Sequence, residues 1–243
     1  NKYDDDIFFQ KYSQMSRSQQ GLAGAGEWET LRKLLPDFKD KRVLDLGCGY
    51  GWHCIYAMEH GASSVVGVDI SHKMLEVAKE KTHFPQVEYK CCAIEDVEFP
   101  EESFDVILSS LAFHYVADYE ILVKKIYRIL KSGGKLVFTV EHPVFTAYGT
   151  QDWYYNEKGE ILHFPVDNYY YEGKRTAVFL GEKVTKFHRT LTTYLNTLLS
   201  NGFIINHIVE PQPPEYMMDI PGMQDEMRRP MMLIVTANKK VDR

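Results

Sequence analysis

Short apolar runs alternate with amphipathic segments through most of the chain. The apolar runs, which are rich in β-branched residues, predict strands at 42–46, 64–69, 87–92, 104–109, 135–141, 203–209 and 231–237. The amphipathic segments predict helices near 51–60, 71–82, 118–131 and 190–201. Strands that alternate with helices in this way are typical of an α/β fold, in which helices cover both faces of a mostly parallel sheet.

Capping residues support these boundaries. Ser71 stands where the second helix begins and predicts an N-cap. The third helix is followed by KSGGK, where Gly133 or Gly134 can adopt the left-handed conformation that ends many helices. Residues 1–35 predict two further helices joined by the small-residue turn GLAGAG. We expect this segment to form a helical cap on a single domain that spans residues 1–243.

The connection that follows the fifth strand is long and unusually aromatic. Its aromatic residues are Phe145, Tyr148, Trp153, Tyr154, Tyr155, Phe164, Tyr169, Tyr170, Tyr171, Phe179 and Phe187. A connection of this length inside a compact domain is usually a lid or a binding element, so we predict that role for residues 142–188. The alternative is a set of additional strands with a small core of their own.

Composition disfavours several classes of partner. The formal net charge of −6 comes without clustered Lys and Arg residues, so nucleic acid is not expected as a partner. Cys48, Cys54, Cys91 and Cys92 form no disulfide framework and are expected to be reduced, buried thiols. The histidines form no ligand cluster, so no bound metal is expected. No apolar run approaches about 18 residues and the N-terminus is acidic, which predicts a cytoplasmic protein without a membrane span.

The stretch VLDLGCGYG, residues 43–51, joins a buried strand to a glycine-rich turn. Such a turn commonly binds a dinucleotide through the spacing G-x-G-x-x-G. Here Gly47, Gly49 and Gly51 are evenly spaced, and Trp52 occupies the place of the third dinucleotide glycine. Asp45, just upstream, would repel a pyrophosphate and suits a cationic ligand. S-adenosylmethionine meets this demand, because its methionine end carries an ammonium group and it has no phosphate.

The same stretch resembles the first motif, D-h-G-x-G-x-G, of the class I S-adenosylmethionine-dependent methyltransferases. The resemblance implies a Rossmann-like sheet of seven strands with an antiparallel last strand, and S-adenosylmethionine as cofactor. It implies that the cofactor is held by Asp45, Gly47, Cys48, Gly49 and Gly51. Asp69 ends the second strand, where an acid in such a crevice accepts bonds from both ribose hydroxyls, and its alternative role is an N-cap. Ile70 and Met74 follow where the family places apolar residues against the adenine.

The stretch CAIEDVEFPEESFDVILSSLAFHYV is similar to the third and fourth motifs of that family. It implies that Ile94 and Glu95 lie at the adenine edge, and that Ser109 and Leu111 face the cofactor. Ala93 departs from the family, which often has an acid there, so adenine N6 would be held by Glu95, Asp96 or water. Over residues 40–141 the chain is closest to the small-molecule branch that includes ubiquinone and menaquinone biosynthesis methyltransferases. The resemblance therefore implies a small-molecule acceptor.

Two histidines follow strands whose ends should line the crevice. His114 follows the fourth strand and His142 the fifth, so each is a candidate catalytic base for a hydroxyl or amine acceptor. Each is also consistent with a structural histidine bonded to backbone. In the N-terminal helices, Tyr12, Arg17 and Trp28 are candidates to close over the methionine end, where Arg17 would meet its carboxylate. A surface role is the alternative for these three.

Two other functions remain open from the sequence. The first is an NAD-dependent oxidoreductase, which the glycine spacing and Asp45 disfavour. The second is a non-catalytic S-adenosylmethionine-binding module, whose mark would be the lack of an acceptor pocket beside the sulfonium.

Overall fold

The computed structural model of the chain describes residues 1–241. Its strands are β1 (Arg42–Leu46), β2 (Ser64–Asp69), β3 (Val87–Cys91), β4 (Phe104–Ser110), β5 (Leu130–Glu141), β6 (Tyr154–Tyr155), β7 (Ile161–His163), β8 (Gly173–Phe179), β9 (Glu182–His188), β10 (Phe203–Val209) and β11 (Met232–Lys239). Its α-helices are α1 (Asp6–Ser13), α2 (Ser16–Gln20), α3 (Trp28–Leu31), α4 (Trp52–Glu59), α5 (His72–Lys81), α6 (Tyr119–Ile129), α7 (Pro143–Thr146) and α8 (Leu191–Ser200).

Seven strands form one sheet in the order β10-β11-β5-β4-β1-β2-β3. Strands β1 to β5 pair in parallel, and β11 is antiparallel to both of its neighbours, β5 and β10. The predicted Rossmann-like sheet with an antiparallel last strand is confirmed. The central strands are apolar on both faces, so consecutive residues enter different cores: Val43 packs in one cluster and Leu44 in the other. Because β1, β2, β4 and β5 are parallel, their carboxyl ends meet at one edge of the sheet.

Caps explain where the long helices begin. The Ser71 side chain accepts a hydrogen bond from the backbone N–H of Met74, so the predicted N-cap of α5 is confirmed. The expected end of the third helix was wrong. Helix α6 ends at Ile129, and Leu130 already pairs with Phe104 as part of β5. Gly133 has a positive φ of 72°, but it lies within β5, where the pairing with β4 is irregular, and it does not cap the helix.

The N-terminal segment is more broken than the two helices expected from the sequence. Three short helices, α1 to α3, are accompanied by 3-10 turns at Lys2–Asp4 and Gly21–Gly24. Phe8 of α1 is fully buried against Ala177 and Val184, which belong to the hairpin formed by β8 and β9. The N-terminal segment therefore packs on the aromatic connection as well as on the sheet.

The aromatic connection contains two antiparallel hairpins, β6–β7 and β8–β9. The additional strands that we gave as the alternative are present, and their small core is shared with α1. A second aromatic group, Phe145, Trp153 and Phe164, surrounds the guanidinium of Arg229, whose carbon lies 4.6–4.9 Å from the three ring centroids. A lid function for residues 142–188 stays a prediction.

Two expectations from composition can be compared with residues 1–241. Over this range no helix combines the length and the apolar character needed to cross a membrane.

The cysteines are all free, and Cys48 and Cys54 are buried as expected. Cys91 is exposed and Cys92 is only partly buried, so the expectation of four buried thiols was wrong. Both lie at the carboxyl end of β3, the edge strand of the sheet, where one side lacks a neighbouring strand.

Candidate functional site

A cavity of about 580 Å³ opens at the carboxyl ends of the parallel strands. One side, which we call the turn side, is formed by Gly47, Gly49, Asp69, Ile94 and Leu111. The other, the hairpin side, is formed by Tyr3, Tyr115, Phe179, Lys186 and Met231. The sequence-predicted residues that line the cavity are Tyr12, Arg17, Gly47, Gly49, Asp69, Ile70, Met74, Ile94, Glu95, Leu111 and His114.

The three glycines of the turn all have positive φ, and Gly51 and Gly49 differ in what a Cβ would meet. A Cβ on Gly51 would lie 2.2 Å from the hydroxyl oxygen of Tyr89, so packing within the protein requires glycine there. A Cβ on Gly49 would meet nothing within 4 Å, although its φ of 52° is also left-handed. Gly49 borders the cavity, so a ligand there can approach its backbone closely without meeting a Cβ.

Asp69 fixes this turn to the end of β2. Its Oδ2 accepts the N–H of Gly49 and its Oδ1 accepts the N–H of Ser71, both at 2.9 Å. Burial raises the pKa of the carboxyl group above its ordinary value, and the backbone donors act in the opposite direction. Each carboxylate oxygen keeps acceptor capacity for a second donor. Asp69 can therefore hold the turn and bind ligand hydroxyls at the same time.

A smaller cleft of about 70 Å³ lies behind Gly47 and Gly49 and is also lined by α3 and α4. Arg17 donates to Glu27 Oε1 at 2.5 Å, while Glu27 Oε2 is buried with no partner among residues 1–241. Trp52 Nε1 and His53 Nε2, on the same cleft, are buried and unpartnered within that range too. Buried polar atoms are rarely left unpaired, so a polar ligand or water in the cleft would satisfy these groups. The set offers acceptors for an ammonium group and donors for a carboxylate.

The hairpin side contains a buried network of charge. Lys186 Nζ donates to Glu141 Oε1 at 2.6 Å and to Gln151 Oε1 at 2.8 Å, and Gln151 donates to Glu141 Oε2 at 2.6 Å. The Lys186 side chain is only 2% exposed. Its ammonium group lies 5.4 Å from the Phe179 ring centroid and 5.8 Å from that of Tyr115. The network joins the end of β5 to β9 across the cavity wall.

His114 lines the cavity but is not free to act as a base. Its Nδ1 accepts the N–H of Glu141 at 3.3 Å, so the neutral ring carries its proton on Nε2. Burial lowers the pKa of His114 to about 4, against the opposing effect of Glu141. At neutral pH the residue is therefore a neutral imidazole and a hydrogen-bond donor.

Comparison with known proteins identifies the family. A methyltransferase-domain family model matches residues 44–138. The chain is 57% identical to a candidate S-adenosylmethionine-dependent methyltransferase of Listeria monocytogenes, whose structure matches with a TM-score of 0.87 over 90% of this chain and 99% of that one. The chain belongs to the S-adenosylmethionine-dependent methyltransferases. A second member, from Mesorhizobium loti, is 40% identical, with a TM-score of 0.83 over 90% of this chain and all (100%) of that one.

A ubiquinone biosynthesis O-methyltransferase of Coxiella burnetii is 36% identical to this methyltransferase over 112 residues. The aligned part is 45% of this chain and 47% of that protein, so the chain spans about half of that relative's length. The family confirms an enzyme that uses S-adenosylmethionine as its methyl donor, and it excludes the NAD-dependent oxidoreductase.

Trp28 lines only the smaller cleft and Asp96 lines neither cavity, and five further sequence-predicted residues do not line the main cavity of the methyltransferase. Cys48 lines only the smaller cleft, and Gly51 packs against Tyr89. Asp45 is buried behind the turn, where it accepts from Cys54 Sγ at 3.5 Å and burial raises its pKa to about 7. The Ser109 hydroxyl donates to the carbonyl of Leu46, and it is the neighbouring Ser110 that reaches the cavity.

His142 is the fifth of these residues. Its Nδ1 accepts the N–H of Val144 and so caps α7, and its Nε2 lies 2.9 Å from Glu210. Burial lowers its pKa, although Glu210 acts to raise it. These contacts hold the ring away from the cavity lining, so we do not propose it as a base. Within residues 1–241 there is also no group of three or more His, Cys, Asp or Glu side chains arranged to hold a metal ion.

The sequence reasoning missed several residues that line the two cavities. On the hairpin side these are Tyr3, Tyr115, Glu141 and Lys186, and around the smaller cleft they are Glu27, Trp52 and His53. Glu141 had a usable signal, because it is the last residue of a strand whose end lines the crevice. The partners of Glu141 had none, because they come from distant segments of the chain.

Proposed function

We propose that this methyltransferase transfers a methyl group to a small molecule that binds on the hairpin side of the cavity, with the cofactor on the turn side. The observation that carries the proposal is the continuity of the cavity. One space of about 580 Å³ touches both Asp69 and Lys186. That volume falls in the range of about 300–1,000 Å³ that is typical of small-molecule sites. A binding module without catalysis would not require this second side, so the continuity favours an enzyme that brings two ligands together.

The residues on the turn side suit S-adenosylmethionine in chemistry. We assign Asp69 to the ribose hydroxyls, and Ile70 and Met74 to the adenine face. Ile94 and Glu95 line the cavity nearby and are assigned to the adenine edge. The unpaired Glu27 oxygen suits the ammonium group of the methionine end, and the indole N–H of Trp52 suits its carboxylate. Arg17 forms an ion pair with Glu27, so its guanidinium would contact both that residue and the ligand.

The bound cofactor would supply an electrophilic methyl group on a sulfonium, and the protein would align the acceptor and exclude water. Two contacts of the N-terminal segment support a role in excluding water from both ligands. Asp4 accepts from the hydroxyl of Ser71 at 2.6 Å, next to Asp69, and the Tyr3 hydroxyl donates to that of Tyr115 at 3.1 Å. We propose that residues 1–35 act as a cap and residues 142–188 as a lid on a single domain.

A methylation screen tests the proposal. The protein is incubated with S-adenosylmethionine that carries a labelled methyl group and with a fractionated small-molecule extract, and products are detected by mass spectrometry. An Asp69→Ala preparation serves as the control that is impaired in cofactor binding. We expect labelled small molecules with the parent protein only. Label found in protein or nucleic acid, with none in the small-molecule fractions, would contradict the small-molecule acceptor.

A further inference from the structure

Lysines outnumber acids among the side chains that line the hairpin side of the cavity. Lys2, Lys183 and Lys186 line the cavity there, and Glu141 is the acid that lines it beside them. In the chain as a whole acids outnumber basic residues, which gives a formal net charge of −6. A lysine charge that no neighbouring acid balances attracts ligands of the opposite sign.

The three lysines differ in how their charge is balanced. Lys186 is paired with Glu141 at 2.6 Å, and Lys2 lies 3.0 Å from Glu182 and 3.7 Å from Asp5. Glu182 is shared, because Lys11 also lies 3.6 Å from it. Lys183 is exposed and has no carboxylate within ion-pair distance among residues 1–241. The charge of Lys183 is therefore available to a ligand.

The walls between these charges are apolar. Met231, Met232, Val116, Val184 and Phe179 line the same side of the cavity. Lysine ammonium groups are compact charges on flexible stems, so they can reach an anionic group without imposing a planar geometry. A ligand that fits this side has an apolar body and an anionic group near Lys183.

Resting on the proposed function, we propose that the methyl acceptor is an organic anion with an apolar body, whose anionic group is bound by Lys183. A carboxylate and a phosphate monoester share the chemistry that a lysine ammonium group recognises. The buried pair of Lys186 and Glu141 lines the same side of the cavity, and its charges are already satisfied by each other and by Gln151.

Matched pairs of small molecules test the charge requirement. Phenylacetate is compared with phenylacetamide, hexanoate with hexanamide, and phenyl phosphate with phenol, by calorimetric titration into protein saturated with S-adenosylhomocysteine. We expect at least one anion to bind more tightly than its neutral partner by about tenfold or more, as for a hydrogen bond to a charged group. The phosphate and carboxylate arms distinguish the two kinds of anion.

Charge reversal on the hairpin provides the matched control. Lys183→Glu should weaken binding of the preferred anion by about tenfold or more, while Lys174→Glu should leave it unchanged. Lys174 is exposed on β8 of the same hairpin and does not line the cavity. If every anion binds no more tightly than its neutral partner, or if Lys183→Glu has no effect, the inference is overturned.

A separate titration with S-adenosylhomocysteine alone keeps the two claims apart. Loss of anion preference with normal S-adenosylhomocysteine affinity refutes the anionic acceptor and leaves the proposed function standing. Failure of the parent protein to bind S-adenosylhomocysteine refutes the proposed function, and with it the inference that rests on it.

Discussion

The assignment of Asp69 to the cofactor can be tested by replacing it with alanine. Its carboxylate accepts two backbone N–H groups, from Gly49 and Ser71, and each such bond to a charged acceptor contributes about 1.5–3 kcal/mol. The bonds proposed to the ribose hydroxyls belong to the same class, so loss of even one should weaken binding by about tenfold or more. Asp69→Ala should therefore raise the dissociation constant for S-adenosylhomocysteine, measured by isothermal titration calorimetry, by at least about that factor.

Asp118→Ala separates this effect from general destabilisation. Asp118 is an exposed acid that caps α6 by accepting the N–H of Ile121 at 2.9 Å, and it lies outside both cavities. Its loss should lower the free energy of unfolding by about 1 kcal/mol and leave S-adenosylhomocysteine affinity unchanged. Circular dichroism checks that both variants are folded. A folded Asp69→Ala protein that binds with the affinity of the parent would refute the assignment.

Three further predictions concern the turn and the buried ionisable groups. Gly49→Ala should abolish S-adenosylhomocysteine binding in a folded protein, and normal binding by this variant would show that the turn is only structural. Gly51→Ala should lower the melting temperature, because its Cβ would contact Tyr89. Asp45→Asn should raise the free energy of unfolding at pH 8 by on the order of 4 kcal/mol, because burial raises the pKa of Asp45 to about 7 and the folded state resists its ionisation. In urea titrations this gain should shrink by about 1.4 kcal/mol per pH unit between pH 7 and 4, and an equal gain at pH 5 and 8 would contradict it. Burial lowers the pKa of His53 to about 4, so the contribution of the neutral ring to stability is complete above pH 6.5 and is lost as the pH falls toward 4. His53→Gln should therefore reduce the fall of the melting temperature with acid, and an unchanged fall would argue against His53 as its cause.

The sequence predicts the parts of the fold and of the site that depend on nearby residues. Strand and helix positions follow from apolar periodicity, because the inner strands β1, β2 and β4 are buried on both faces and the longer helices on one. Asp69 and Gly49 were predicted separately from two short motifs, and the structure adds the contact between them, since the end of β2 and the turn after β1 are adjacent in the sheet. The turn side of the cavity is thus encoded in two short, recognisable segments.

The hairpin side could not be predicted, because its contacts join segments that are far apart in the chain. Tyr3 and Tyr115 are separated by 112 residues, and Lys186 and Glu141 by 45. Their meeting depends on how the N-terminal segment and the β8–β9 hairpin pack through Phe8, and no local pattern specifies that packing. At His142 the sequence pointed to the correct strand end, but one residue beyond the strand the backbone begins α7 and uses the ring as its cap.

The hairpin side of the cavity offers no available general base to remove a proton from the methyl acceptor. The kind of acceptor that can react there depends on this. His114 has its Nδ1 occupied by the N–H of Glu141 and its pKa lowered to about 4 by burial, so it holds its Nε2 proton and offers no free lone pair at neutral pH. Burial acts to raise the pKa of Glu141, but His114, Lys186 and Gln151 more than offset it, and both of its oxygens are engaged. A base of low pKa with its acceptor atoms engaged gains little from general-base catalysis. An acceptor that arrives as an anion, or that attacks without losing a proton first, avoids this difficulty. The unpaired charge of Lys183 lies on the same side of the cavity, so the proposed organic anion would meet both conditions where its charged group is itself the nucleophile.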